Sequence, residues 1–233
     1  ITAMVTYLKE GMKFCMWHPD ARPVLALVDP ELTLGLPPSL TAWTGVDAMV
    51  HAIEGYCVPG FNPLCDGSAI ESLSLISKSL YLAVEEPKNL VARGGMHVGS
   101  YLGGVAFLKG LGLVHAISHM VGAEFNTQHG LTNAIILPVV LRYNLFGMDE
   151  KVKRMSEAMQ FEDHSIEAFI TNIEKMLDRL NIPKSLSEIG VPEDCVERIA
   201  KKAMKDQAYA TNPKIATLEE VKEMTLASIK KAR

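Results

Sequence analysis

The spacing of apolar residues changes once along this chain, and the change marks its main division. Up to Asp29 the apolar positions come in short runs. Residues 2–8 and 12–17 flank a turn at Glu10-Gly11, and residues 24–28 form a run stopped by Asp29-Pro30, so all three predict strands. From Pro37-Pro38-Ser39 onward helical spacing takes over. Residues 42–56 repeat apolar side chains at helical intervals until Cys57-Val58-Pro59-Gly60. A second helix opens near Asn62-Pro63, carries Ile70, Leu73, Ile76 and Leu80, and ends about Glu85, before Pro87. Residues 89–108 hold Gly94, Gly95, Gly99, Ser100, Gly103 and Gly104, a density of small side chains that predicts close packing and deep burial. Residues 114–125 and 130–144 read as buried helices joined by the polar turn Asn126-Thr127-Gln128-His129. Beyond Met148 the pattern is amphipathic and charged, predicting helices over 149–159, 165–180, 192–206 and 218–231 as an outer layer. The expected fold is mainly α, divided into a strand-bearing stretch 1–33 and an all-helical domain 34–233.

Composition narrows the function. With 233 residues, 48% of them hydrophobic, the chain can fill a substantial core. Its 23 basic and 27 acidic residues are interspersed, without the basic stripe that a phosphate backbone demands, so nucleic acid is excluded as a partner. Apolar runs such as 134–141 are far shorter than the roughly 18 residues of a membrane span, and no basic-then-apolar leader opens the chain, so a cytoplasmic protein is expected. Cys15, Cys57, Cys65 and Cys195 form no C-x-x-C pair and predict reduced, mostly buried thiols.

The candidate chemistry lies in acids and imidazoles. Asp47 and His51 are four apart, one helical turn, which suits two ligands of one cation and equally suits an ordinary ion pair. His115, His119 and His129 fall within a short, otherwise apolar stretch, where imidazoles without partners would cost several kcal/mol to bury. An Asp oxygen with imidazoles from separate helices is a borderline donor set for Fe²⁺ or Zn²⁺, and without thiolates it is not a structural zinc knot. Glu54 either hydrogen-bonds a ligand's free nitrogen or faces solvent, and Phe107 and Phe125 either wall a pocket or belong to the core. Lys13, taken alone, is an edge charge on a strand.

Two longer segments go further. The run from Thr44 through Gly45, Asp47, His51 and Glu54 to Tyr56, and the run Gly110-Leu111-Gly112-Leu113-Val114-His115-Ala116-Ile117-Ser118-His119 followed by Asn126-Thr127-Gln128-His129-Gly130, resemble the two signatures of the iron-containing (group III) alcohol dehydrogenases. Asp29-Pro30-Glu31, Leu36-Pro37-Pro38, Asn133-Ala134-Ile135, Pro138 and Asn212-Pro213 match the same family. The resemblance implies the all-helical, metal-binding C-terminal portion of the dehydroquinate synthase-like type, with residues 1–33 as the remnant of an α/β nucleotide-binding domain. It implies an NAD(P)-linked enzyme interconverting an alcohol with an aldehyde or ketone, and a homo-oligomer. Asp47, His51, His115 and His129 are then the metal ligands, iron being favoured by the four-ligand set and zinc standing as the alternative. His119 is then the catalytic proton relay or a residue that only orients ligands, and Lys13 binds the NAD or NADP cofactor. The family's Gly-Gly-Gly-Ser and Thr-x-x-Thr-Gly-Ser-Glu segments would precede residue 1, so the chain is expected to lack most of the cofactor domain and to turn over little. Arg93-Gly94-Gly95-Met96 stands where the family has Arg-Glu-Lys-Met, a weaker helix by roughly 1 kcal/mol per glycine. The rival reading is a non-catalytic metal-binding or oligomerisation remnant of such an enzyme.

Overall fold

The computed structural model describes residues 4–7, 9–15, 20 and 23–233. Strands β1 (Met4–Tyr7) and β2 (Met12–Cys15) form an antiparallel hairpin that sets Thr6 opposite Lys13. Its turn is closed by Glu10 N–H donating to Tyr7 O, with Gly11 at φ +55°. The remaining positions of these two expected strands lie outside the described residues. The third expected strand does not form. Residues 24–28 pair with nothing among the described residues, and Val24, Leu25 and Leu27 stand exposed. An extended apolar run becomes a strand only when a neighbour takes up its N–H and C=O groups.

The helices begin where the sequence supplies starts. Helix α1 (Pro38–Cys57) opens on a proline, whose missing N–H is no loss in a first turn. It buries Val46, Met49, Val50 and Ile53 completely, each side chain contributing about 1.5–3 kcal/mol. Asn62 caps α2 (Pro63–Glu85) by accepting from Cys65 N–H, and Asn89 caps α3 (Leu90–Ala106) by accepting from Ala92 N–H. Helix α3 lies against α2 along Gly95 and Gly99, and a Cβ on Gly95 would come within 2.2 Å of Ser79 Oγ. Close packing therefore holds, but deep burial does not: Val91, Val98 and Tyr101 of the same helix are exposed. Small residues flatten one face of a helix and say nothing of the other.

Helices α4 (Leu113–Phe125) and α5 (His129–Asn144) are buried along most of their lengths and form the centre of the core. Around them run α6 (Asp149–Ala158), α7 (Ile166–Arg179), α8 (Val196–Ala203), the short α9 (Gln207–Ala210) and α10 (Leu218–Lys230). The single helix expected over 192–206 is instead a 3-10 turn, Glu193–Cys195, then α8, then a turn leading into α9. Nor are the later helices merely an outer layer, since Val152, Phe169, Ile173, Leu177, Ile199 and Ile229 complete the core. Among the described residues no single helix is long and apolar enough to cross a membrane.

The far end of the chain anchors α4. Asn212 Oδ1 accepts from Leu113 N–H at 3.0 Å and from Asn144 Nδ2 at 2.8 Å, while Asn212 Nδ2 donates to Asn144 Oδ1 at 2.9 Å. Thr211 Oγ1 accepts from Leu111 N–H at 3.1 Å and donates to Leu111 O at 2.8 Å. Orphan N–H groups at the head of α4 are thus satisfied from a loop a hundred residues away.

Candidate metal and substrate site

Three helices converge on one point. Asp47 and His51 project from the middle of α1, His115 and His119 from successive turns of α4, and His129 is the first residue of α5. Asn126, at φ 53°, turns the chain out of α4, and Gln128 caps α5 by accepting from Leu131 N–H at 2.6 Å. Gly130 lets the head of α5 rest on α1, for a Cβ there would lie 2.4 Å from Trp43 O. This contact sets His129 and Asn133, one turn apart, beside Asp47.

Asp47 sits at the centre of the cluster. Its Oδ1 lies 3.8 Å from His115 Nε2 and 3.7 Å from His129 Nε2, and its Oδ2 lies 3.9 Å from His51 Nε2. Asp47, His51 and His115 each offer one atom within 4.8 Å of the other two, and His129 joins them through Asp47 Oδ1. The rings of His51 and His115 stack at 4.8 Å. Asn133, fully buried, donates from Nδ2 to Asp47 Oδ1 at 2.6 Å, and the same nitrogen is 3.2 Å from Nε2 of both His115 and His129.

The protonation states are those that a cation requires. Burial alone would raise the Asp47 carboxyl, but the imidazoles of His51, His129 and His115 and the Asn133 hydrogen bond outweigh it and hold it at about 2. Burial keeps His115 well below the ordinary imidazole range and brings His129 down to about 2, so both rings are neutral at physiological pH. Glu54 Oε2 is 2.6 Å from His115 Nδ1, and its Oε1 accepts from Val114 N–H at 2.8 Å. Burial pushes the Glu54 carboxyl up to about 7, against backbone N–H groups of Val114, Gly112 and His115 that favour its ionised form. With Glu54 accepting from Nδ1, the His115 Nε2 lone pair faces Asp47. His129 Nδ1 and Asn133 Oδ1 are buried without hydrogen-bond partners among the described residues. An ionised carboxylate and neutral imidazoles converging from separate helices fit a divalent iron or zinc ion.

The cluster opens on a cavity of about 720 Å³. Lys13, Phe107, Leu108, Leu111 and Asp206 line it together with Asp47 and four of the histidines, His51, His115, His119 and His129. Phe107 packs 4.9 Å from the His51 ring. His119 does not join Asp47; its Nδ1 is 2.9 Å from Asp206 Oδ2, and its ring stacks 5.4 Å from that of His129. Lys13 is half-buried; desolvation lowers its pKa, opposed by Asp47 and Asp206.

A model of the C-terminal part of the Fe-containing alcohol dehydrogenases matches residues 41–229, most of the chain. The chain belongs to that family. The NAD-dependent methanol dehydrogenase of Bacillus methanolicus is 34% identical over 229 residues, covering 95% of this chain and 60% of that protein. The lactaldehyde reductase of Escherichia coli K12 is 36% identical over 231 residues, covering 96% and 60%. A crystal structure of 1,3-propanediol oxidoreductase superposes with a TM-score of 0.92 at 33% identity, covering 98% of this chain and 62% of that one. The chain thus spans about 60% of the length of these relatives.

The family resemblance named Asp47, His51, His115 and His129 as metal ligands, His119 as their neighbour and Lys13 as a cofactor contact, and the structure brings these six side chains to the lining of one cavity. Sequence reasoning overlooked Asp206 and Asn133 as site residues and left Glu54 and Phe107 uncommitted. Asn133 carried a readable signal, being one helical turn after His129. Glu54 was weighed as a partner of the metal cluster and proves to face His115, across helices. Asp206 had no local signal, because its partner lies 87 residues away.

Proposed function

We propose that Asp47, His51, His115 and His129 hold one divalent cation, iron first and zinc as the alternative. In this reading the chain is the metal- and substrate-binding part of an NAD(P)-linked dehydrogenase that interconverts an alcohol with an aldehyde or ketone. The observation that carries it is an ionised carboxylate surrounded by imidazole nitrogens from three helices, on the wall of a cavity large enough for a small alcohol. Bound there, the cation would supply charge stabilisation at the substrate oxygen, and a nicotinamide would supply the hydride acceptor.

The chain's own residues do the rest. Glu54 holds the His115 ring so that Nε2, not N–H, faces the cation position. Asn133 keeps the Asp47 carboxylate turned towards His115 and His129. Phe107, Leu108 and Leu111 form an apolar side for the substrate's carbon chain. Lys13, on β2, faces the cavity and is the candidate contact to the cofactor's ribose or phosphate. The non-catalytic alternative needs no such cavity beside the ligands. Cobalt titration of the purified chain tests the reading. One equivalent of Co²⁺ should give the intense visible absorption of a low-coordinate site, absent in His51→Ala and perturbed by added primary alcohol. Unsaturable binding, or an identical spectrum in His51→Ala, would contradict it.

A further inference from the structure

We propose that Asp206 is a positioning residue that locks the His119 imidazole as its Nδ1–H tautomer, leaving Nε2 as the ring's proton acceptor on the cavity side. The inference rests on the reading of the cavity as an alcohol site, because only there does a fixed proton acceptor have a reaction to serve. An ionised carboxylate can only accept hydrogen bonds, so a neutral ring facing it must donate from the contacting nitrogen. Asp206 Oδ2 lies 2.9 Å from His119 Nδ1, with both side chains almost wholly buried. Nε2 has no hydrogen-bond partner among the described residues, and the ring lines the cavity.

Two features make this contact a built one. Asp206 divides its oxygens: Oδ2 meets His119, while Oδ1 accepts from Ala208 N–H at 2.8 Å and starts α9. The loop behind it is fixed by Tyr209 Oη donating to Ala216 O at 2.7 Å and by the Thr211 and Asn212 bonds to the head of α4. The carboxylate is therefore held against the same helix that carries His119. On the other side, stacking on His129 fixes the plane of the His119 ring at 18° to its neighbour. In the alcohol-to-aldehyde direction the hydroxyl would give its proton to Nε2, and a bound nicotinamide would supply the acceptor for the hydride as the C–O bond becomes C=O. Nδ1–H stays on Asp206, which stabilises the imidazolium so formed.

Asparagine in place of Asp206 offers a direct test, because its single oxygen cannot serve both partners. Asparagine is as good a helix cap as aspartate, so the oxygen stays on Ala208 N–H and the amide N–H₂ turns to the ring. Long-range ¹H–¹⁵N correlation spectra of the imidazole-labelled, zinc-supplied chain at about pH 8, well above the ordinary imidazole pKa, read the tautomer directly. The His119 signals are assigned by their loss in His119→Gln. The expected result is Nδ1–H in the parent chain, a switch to Nε2–H in Asp206→Asn, and a mixture in Asp206→Ser, which keeps the cap without the contact. Nε2–H in the parent, or an unchanged Nδ1–H tautomer in either folded variant, would overturn the proposal. Zinc content of the same samples separates the two readings: a chain without zinc that shows the Nδ1–H tautomer and its switch fails the metal reading alone.

Discussion

Glu54 does two things with one carboxylate: it satisfies the N–H groups at the head of α4 and it fixes the ring of His115. Glu54→Ala therefore leaves buried donors without acceptors, and the melting transition should show a loss of about 2–3 kcal/mol. The same variant frees the His115 ring, and metal affinity should fall by roughly 10–100-fold in a chelator competition. A variant that keeps parental affinity while losing stability would confine Glu54 to capping. The thiols make a second expectation. Burial pushes Cys57 up to about 12 and Cys195 to about 11, so neither should be alkylated in the native chain at neutral pH, as mass mapping before and after unfolding would show. Rapid native labelling of Cys57 would contradict its burial. At this scale the sequence disclosed the residues whose partners lie within one turn or one motif, such as Asp47 with His51. Asp206 escaped because nothing in a sequence ties an aspartate to a histidine on another helix.

Helix α3 shows where element-level inference held and where it stopped. The glycines at 94 and 95 look alike in the sequence and differ in the fold. Among the described residues a Cβ on Gly94 meets nothing within 4 Å, while one on Gly95 meets Ser79. Gly94→Ala should stabilise the chain by about 0.5–1 kcal/mol through helix propensity. Gly95→Ala should destabilise it, and thermal denaturation of the two variants should move in opposite directions. Equal shifts would mean that α2 and α3 do not approach as described. Helical periodicity located α1 to α5 closely because caps and prolines marked their ends. It failed over residues 192–206, where a single amphipathic pattern continues through a 3-10 turn and a reversal. It also turned residues 24–28 into a strand, since apolar β-formers do not reveal whether a neighbouring strand is present.

Among the described residues the molecule is a helical core with its candidate chemistry at one cavity and an exposed apolar run, residues 24–28, near the start of the sequence. Val24, Leu25 and Leu27 form an exposed hydrophobic stretch, a surface that favours self-association. Leu25→Ser with Leu27→Ser should lower the light scattering of concentrated solutions while leaving the melting temperature unchanged; a large loss of stability would show that the run is packed. The division of labour across the chain is the larger point. Residues 41–229 match one family model, yet the proposed ligands come from α1, α4 and α5 and the loop that holds α4 comes from beyond α9. A site assembled from such distant segments exists only in the folded chain, so metal binding reports on the fold and the function together. The most direct measurement is the metal content of anaerobically purified chain by mass spectrometry, beside Asp47→Asn and His129→Ala. The account predicts near-stoichiometric iron or zinc in the parent and its loss in both variants. Absence of bound metal under every supply, or full retention in both folded variants, would contradict it.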